Sequence, residues 1–160
     1  NGLEPAFEEH VRESTRVREA YFIDYAAAVA KVARMPLMVT GGFRTRAGME
    51  EAIAAGATHL IGIGRPVCGD PLSAKRLITG ETPSLPSYEK RLRLGPGWLG
   101  PNSPLTLLKM INGWGAQGWY CLQLLRMGDG HDPDLRMTVL HAFRKYAANE
   151  TAAARALSRP

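Results

Sequence analysis

The chain has 160 residues, 20 basic side chains against 15 acidic ones, a formal charge of +5 and an isoelectric point near 9.5. Hydrophobic residues at 45% and charged residues at 22% are ordinary globular proportions, which excludes a disordered, fibrous or collagen-like protein. The longest apolar stretch, Tyr25 to Ala33, is broken by Lys31 and falls well short of the roughly 20 apolar residues that span a bilayer, so no membrane partner is expected. Cys68 and Cys121 lie 53 positions apart, too few and too far apart for a disulfide framework or a zinc pair, and a cytoplasmic location is the expectation. No charged segment followed by an apolar one opens the chain, and its first residue is Asn1, which reads as a cut or processed start.

Val17, Tyr21, Tyr25, Ala28, Val29 and Val32 recur at steps of three and four, the spacing of an amphipathic helix that must stop before Pro36. Leu37-Met38-Val39 follows as a short buried strand, Thr40-Gly41-Gly42-Phe43 breaks it, and Thr45 caps a helix with Met49, Ala52, Ile53 and Ala55 on one face, ended by Gly56. The same order then returns: Leu60-Ile61-Gly62-Ile63 as strand, Gly64-Arg65-Pro66 as loop, and a helix from about Pro71 to Ile78 closed by Gly80. Two consecutive βα units with apolar strands imply an α/β fold with a parallel sheet. Pro83 to Pro101 is rich in proline and glycine and reads as a linker or an ordered surface loop. Ser103-Pro104 is a helix-start signature, and Gly113, Gly115 and Gly118 predict a kink or two separate helices before Gly128. Asp132-Pro133 restarts a helix carrying Leu135, Val139, Phe143 and Tyr146. The domains expected are therefore 1–82, a linker over 83–103 and a helical extension over 104–160.

A glycine loop that leaves the carboxyl end of a parallel strand and opens a helix presents backbone N–H groups to an anion. In eight-stranded βα barrels, phosphate binds at the loops after strands 7 and 8. Gly41-Gly42-Phe43 and Gly64-Arg65 suit such places, the Arg65 guanidinium supplying a permanent bidentate charge. The pattern alone equally allows plain tight turns, with Arg65 paired to a carboxylate such as Asp70. Gly62-Ile63-Gly64 lacks the third glycine of a dinucleotide fingerprint, position 67 being valine, and no nucleotide P-loop, metalloprotease or nucleophile-elbow motif occurs. The positive excess lies wholly after Pro83, with Lys90, Arg91 and Arg93 as its densest cluster. With no zinc-finger or RNA-binding signature beside it, a solvated loop is preferred to a nucleic-acid or other interaction surface.

The segments Arg18-Glu19-Ala20-Tyr21-Phe22, Pro36-Leu37-Met38-Val39-Thr40-Gly41-Gly42-Phe43-Arg44-Thr45, Gly62-Ile63-Gly64-Arg65-Pro66 and Asp70-Pro71 resemble the old yellow enzyme family, the flavin-dependent NAD(P)H oxidoreductases. The resemblance runs from about Val17 to Gly80, and Trp98 to Gly130 is similar to the C-terminal extension of one bacterial and fungal branch. It implies the C-terminal part of an FMN-binding (β/α)8 TIM barrel, these being the last two strands. The FMN phosphate would be held by Gly42, Phe43, Gly64 and Arg65, with Gly41 adjacent. It implies NAD(P)H as reductant and an electrophilic substrate such as an activated alkene. One departure is His59, where the family usually carries aspartate entering the last strand. The family's substrate-anchoring pair and its tyrosine proton donor belong to earlier strands and have no match here. No catalytic residue is therefore assigned, and the segment alone is expected to be inactive. A different phosphorylated ligand in the same loops is the alternative.

The remaining chemistry-bearing residues carry weaker signals. His10, His59, His131 and His141 have no ligand spacing, so no metal is expected. Cys68 is expected as a buried structural thiol, and Trp98, Trp114 and Trp119 as packing or subunit-contact anchors of a homo-oligomer formed through the C-terminal helices.

Overall fold

The computed structural model describes residues 25–158. The expected contributions of Val17 and Tyr21 to the first helix, and His10, lie outside that range. Residues 25–30 are helical, and the helix has ended well before Pro36, as the proline requires. Strand β1, Met38–Thr40, helix α1, Arg46–Ala54, strand β2, Leu60–Gly62, and helix α2, Arg65–Gly69, follow in order. Helix α3 spans Ser73–Thr79, a single 3₁₀ turn covers Gly97–Leu99, and the chain ends in α4, Thr106–Gly128, and α5, Val139–Leu157. Among the described residues the fold is a mixture of helix with one small parallel sheet.

The described residues form two compact units, one of 25–64 with 73–85, the other of 65–72 with 86–158. In the first unit β1 and β2 pair in parallel, Met38 with Leu60, Val39 with Ile61 and Thr40 with Gly62. Phe43, Met49, Ala52, Leu77 and Leu85 make its core, with Val39, Ile61 and Ile63 packed against them. Thr45 caps α1 as expected, its hydroxyl accepting the Gly48 N–H at 3.2 Å. Gly56 and Gly80 follow α1 and α3 with φ of 69° and 78°, left-handed values that favour glycine.

In the second unit α4 and α5 pack along each other, and α2 packs on α4. The core is aromatic: Trp119, fully buried, lies 5.2 Å from the ring of Tyr88 and meets Tyr120 edge-on. Two buried amides on α4 organise the irregular segments. Asn112 Oδ1 accepts the Leu94 N–H at 2.9 Å while its Nδ2 donates to the carbonyls of Leu99 and Leu108. Gln123 accepts the Asp134 N–H at 2.7 Å and donates to the Asp134 carbonyl at 3.0 Å.

These contacts correct three expectations. The glycines of α4 neither kink nor divide it. A Cβ on Gly115 would run into Val139, and one on Gly118 into Tyr146, so their missing side chains are the space α5 occupies. The last helix starts at Val139 under a Thr138 cap rather than at Asp132-Pro133, because Gln123 holds the backbone of Asp134 in a loop. Helix α4 starts at Thr106, since the Ser103 hydroxyl accepts the Leu105 N–H and closes a turn ahead of it. No described helix is long and apolar enough to cross a membrane.

Candidate functional site

The register of the sheet decides the geometry of the glycine loops. Thr40 pairs with Gly62, so both strands end level and Gly41-Gly42 and Ile63-Gly64 leave their carboxyl ends as neighbours. Gly41 and Gly42 take φ of 104° and 80°, two successive left-handed residues that other side chains rarely adopt. A Cβ on Gly41 or Gly64 would meet nothing within 4 Å, so both loops are open on the side where a side chain would stand. Gly62 differs. A Cβ there would collide with the Thr40 side chain, so that glycine is needed for the two strand ends to approach. The sequence places Gly62 inside an apolar strand, and the cross-strand pairing with Thr40 explains why a glycine stands there.

Phe43 is buried, 3% exposed, in the core of the first unit. Its ring therefore anchors the loop from beneath, and only its backbone is available to a ligand. The Phe43 carbonyl accepts a hydrogen bond from Arg44 Nη1 at 3.0 Å, and the Arg44 carbonyl accepts the Leu85 N–H at 2.7 Å. Arg46 pairs with Glu50 at 2.6 Å and donates to the Ile78 carbonyl, tying the start of α1 to the end of α3. The loop is thus clamped on its far side by core and backbone contacts, while its glycine face is open.

Arg65 belongs to the second unit as the first residue of α2. The expected Gly64-Arg65-Pro66 loop is therefore the entry of a helical turn. The Arg65 guanidinium reaches Glu89 at 3.1 Å, and the other Glu89 oxygen accepts the Ser87 hydroxyl at 2.6 Å. Glu89, not Asp70, is its carboxylate partner. Asp70 instead accepts the Leu72 N–H at 3.1 Å just ahead of α3. With the arginine side chain 59% exposed, the Arg65–Glu89 pair is of the kind that contributes little to stability, which leaves the guanidinium exchangeable.

Cys68 is buried as expected. Burial raises its thiol above the ordinary value of 9.0, the neighbouring Cys121 adds to this, and a backbone hydrogen bond opposes it. It is accordingly a protonated packing group and no nucleophile. Arg91 lies over the rings of Tyr88 and Trp119, 5.7 and 5.8 Å from their centroids, so one of the three clustered cations is spent on packing. No cluster of metal-ligating side chains occurs among the described residues. His59 Nδ1 accepts the Leu37 N–H at 3.2 Å at the entry to β2.

No family model matches the chain, and no solved structure matches it. Curated relatives do. The chain is 46% identical over 61 residues to NADH-dependent flavin oxidoreductase iliE of Hypocrea jecorina, covering 38% of this chain and 15% of that protein. It is 44% identical over 61 residues to iliE of a Neonectria species, 38% of this chain and 8% of that protein. With NADH-dependent flavin oxidoreductase iccE of Talaromyces variabilis it shares 39% identity over 62 residues, 38% and 15% of the respective chains. The matched part of this chain thus spans 15% or less of the length of these relatives, and over that part the resemblance to NADH:flavin oxidoreductases of the old yellow enzyme type holds.

Proposed function

We propose that this chain contributes the last two βα units of a flavin-binding (β/α)8 barrel in an NADH-dependent flavin oxidoreductase of the old yellow enzyme type, and that its glycine loops hold the phosphate of FMN. The observation that supports this best is the level register of β1 and β2, which sets two glycine loops side by side at the carboxyl ends of parallel strands. That is where open α/β sheets and barrels take phosphate.

The residues fit a phosphate group. The backbone of Gly41, Gly42 and Phe43 turns around left-handed glycines with no Cβ in the way, and Gly64 offers the same clearance on the second strand. Arg65, the next residue in the chain, brings the full positive charge and exchanges Glu89 for phosphate oxygens. When bound, the flavin supplies hydride transfer between NADH and an electrophilic small molecule such as an activated alkene. This chain's own share is to fix one end of the cofactor so that the ring lies where other segments use it. The 160 residues alone carry no hydride chemistry.

The test compares FMN with riboflavin, which lacks the phosphate, on the polypeptide that carries this chain. FMN is expected to bind at least tenfold more tightly. Arg65→Ala should erase most of that preference, and Glu89→Gln, which removes the competing carboxylate, should increase it. Equal affinity for both flavins, or an unchanged preference in Arg65→Ala, would overturn the assignment.

A further inference from the structure

We draw no further inference here: the strongest candidate, the open pocket at the head of α5 lined by Thr138, Leu140, His141, Arg144 and Lys145, rests on a helix N-terminus and exposed cationic side chains alone, and nothing among the described residues points to a ligand that would fill it.

Discussion

At the scale of single residues, backbone geometry explains side chains whose types look arbitrary in the sequence. His59 stands where the resembled family usually has aspartate, and the structure shows why the exchange is tolerated: its Nδ1 accepts the Leu37 N–H, a bond a carboxylate oxygen also accepts. The Leu37 carbonyl takes the His59 N–H at 2.9 Å, so this residue closes both hydrogen bonds at the entry to the sheet. His59→Asp should therefore leave thermal stability nearly unchanged, while His59→Leu should cost about 1 kcal/mol, measured by urea unfolding. Equal losses in the two variants would show that the ring packs for its shape and not as an acceptor. Thr40 and Gly62 show the same logic between strands, where one residue's hydroxyl-bearing side chain occupies the space its partner vacates.

At the scale of elements, α4 shows how tertiary contact overrides intrinsic preference. Each glycine in a helix interior costs roughly 1 kcal/mol relative to alanine, which is why Gly113, Gly115 and Gly118 read as breaks. Two of the three are recessed under α5, against Val139 and Tyr146. Gly115→Ala and Gly118→Ala should each destabilise the second unit by about 1–3 kcal/mol, because overpacking the crossing exceeds the gain in helix propensity. Gly113→Ala, where a Cβ meets nothing, should stabilise it by up to about 1 kcal/mol. Chemical denaturation of the three variants checks the order, and a stabilised Gly115→Ala would mean that the helices are not in close contact. The buried amides act likewise: Asn112 and Gln123 look like polar interruptions in an apolar helix, yet each satisfies backbone groups of a loop that has no ladder of its own.

At the scale of the whole molecule, the buried thiol couples stability to pH. The folded chain holds Cys68 protonated above its ordinary value of 9.0, so the unfolded chain releases its proton first as pH rises. Unfolding then binds fewer protons than folding, and stability must fall with pH in that range. The contribution is fully present below pH 9.0 and is lost as pH climbs through the folded value. Tyr146, raised from 10.0 chiefly by the Glu150 carboxylate, acts in the same sense at higher pH. Thermal unfolding should show a midpoint that declines above pH 9.0, with a shallower decline in Cys68→Ala, and identical slopes in the two proteins would exclude the thiol as the cause.

The sequence by itself determined the local units. Strand, glycine turn and capped helix are written in short-range chemistry, from the apolar residues 37–39 and 60–63 to the Thr45 cap and the left-handed Gly41, Gly56 and Gly80, and the structure contains each of them. The resemblance to NADH:flavin oxidoreductases was likewise carried by short segments of sequence, and a relative shares 46% identity over 61 residues. Tertiary structure alone decided which partner Arg65 takes, since Glu89 is 24 positions away and no local rule selects it over Asp70. It also decided that α4 runs unbroken and that the last helix waits until Val139. In each case the outcome depends on space or on hydrogen-bonding groups supplied by residues distant in the chain. A glycine signals a turn when nothing fills the vacancy and a crossing when another helix does, and only the folded chain distinguishes the two.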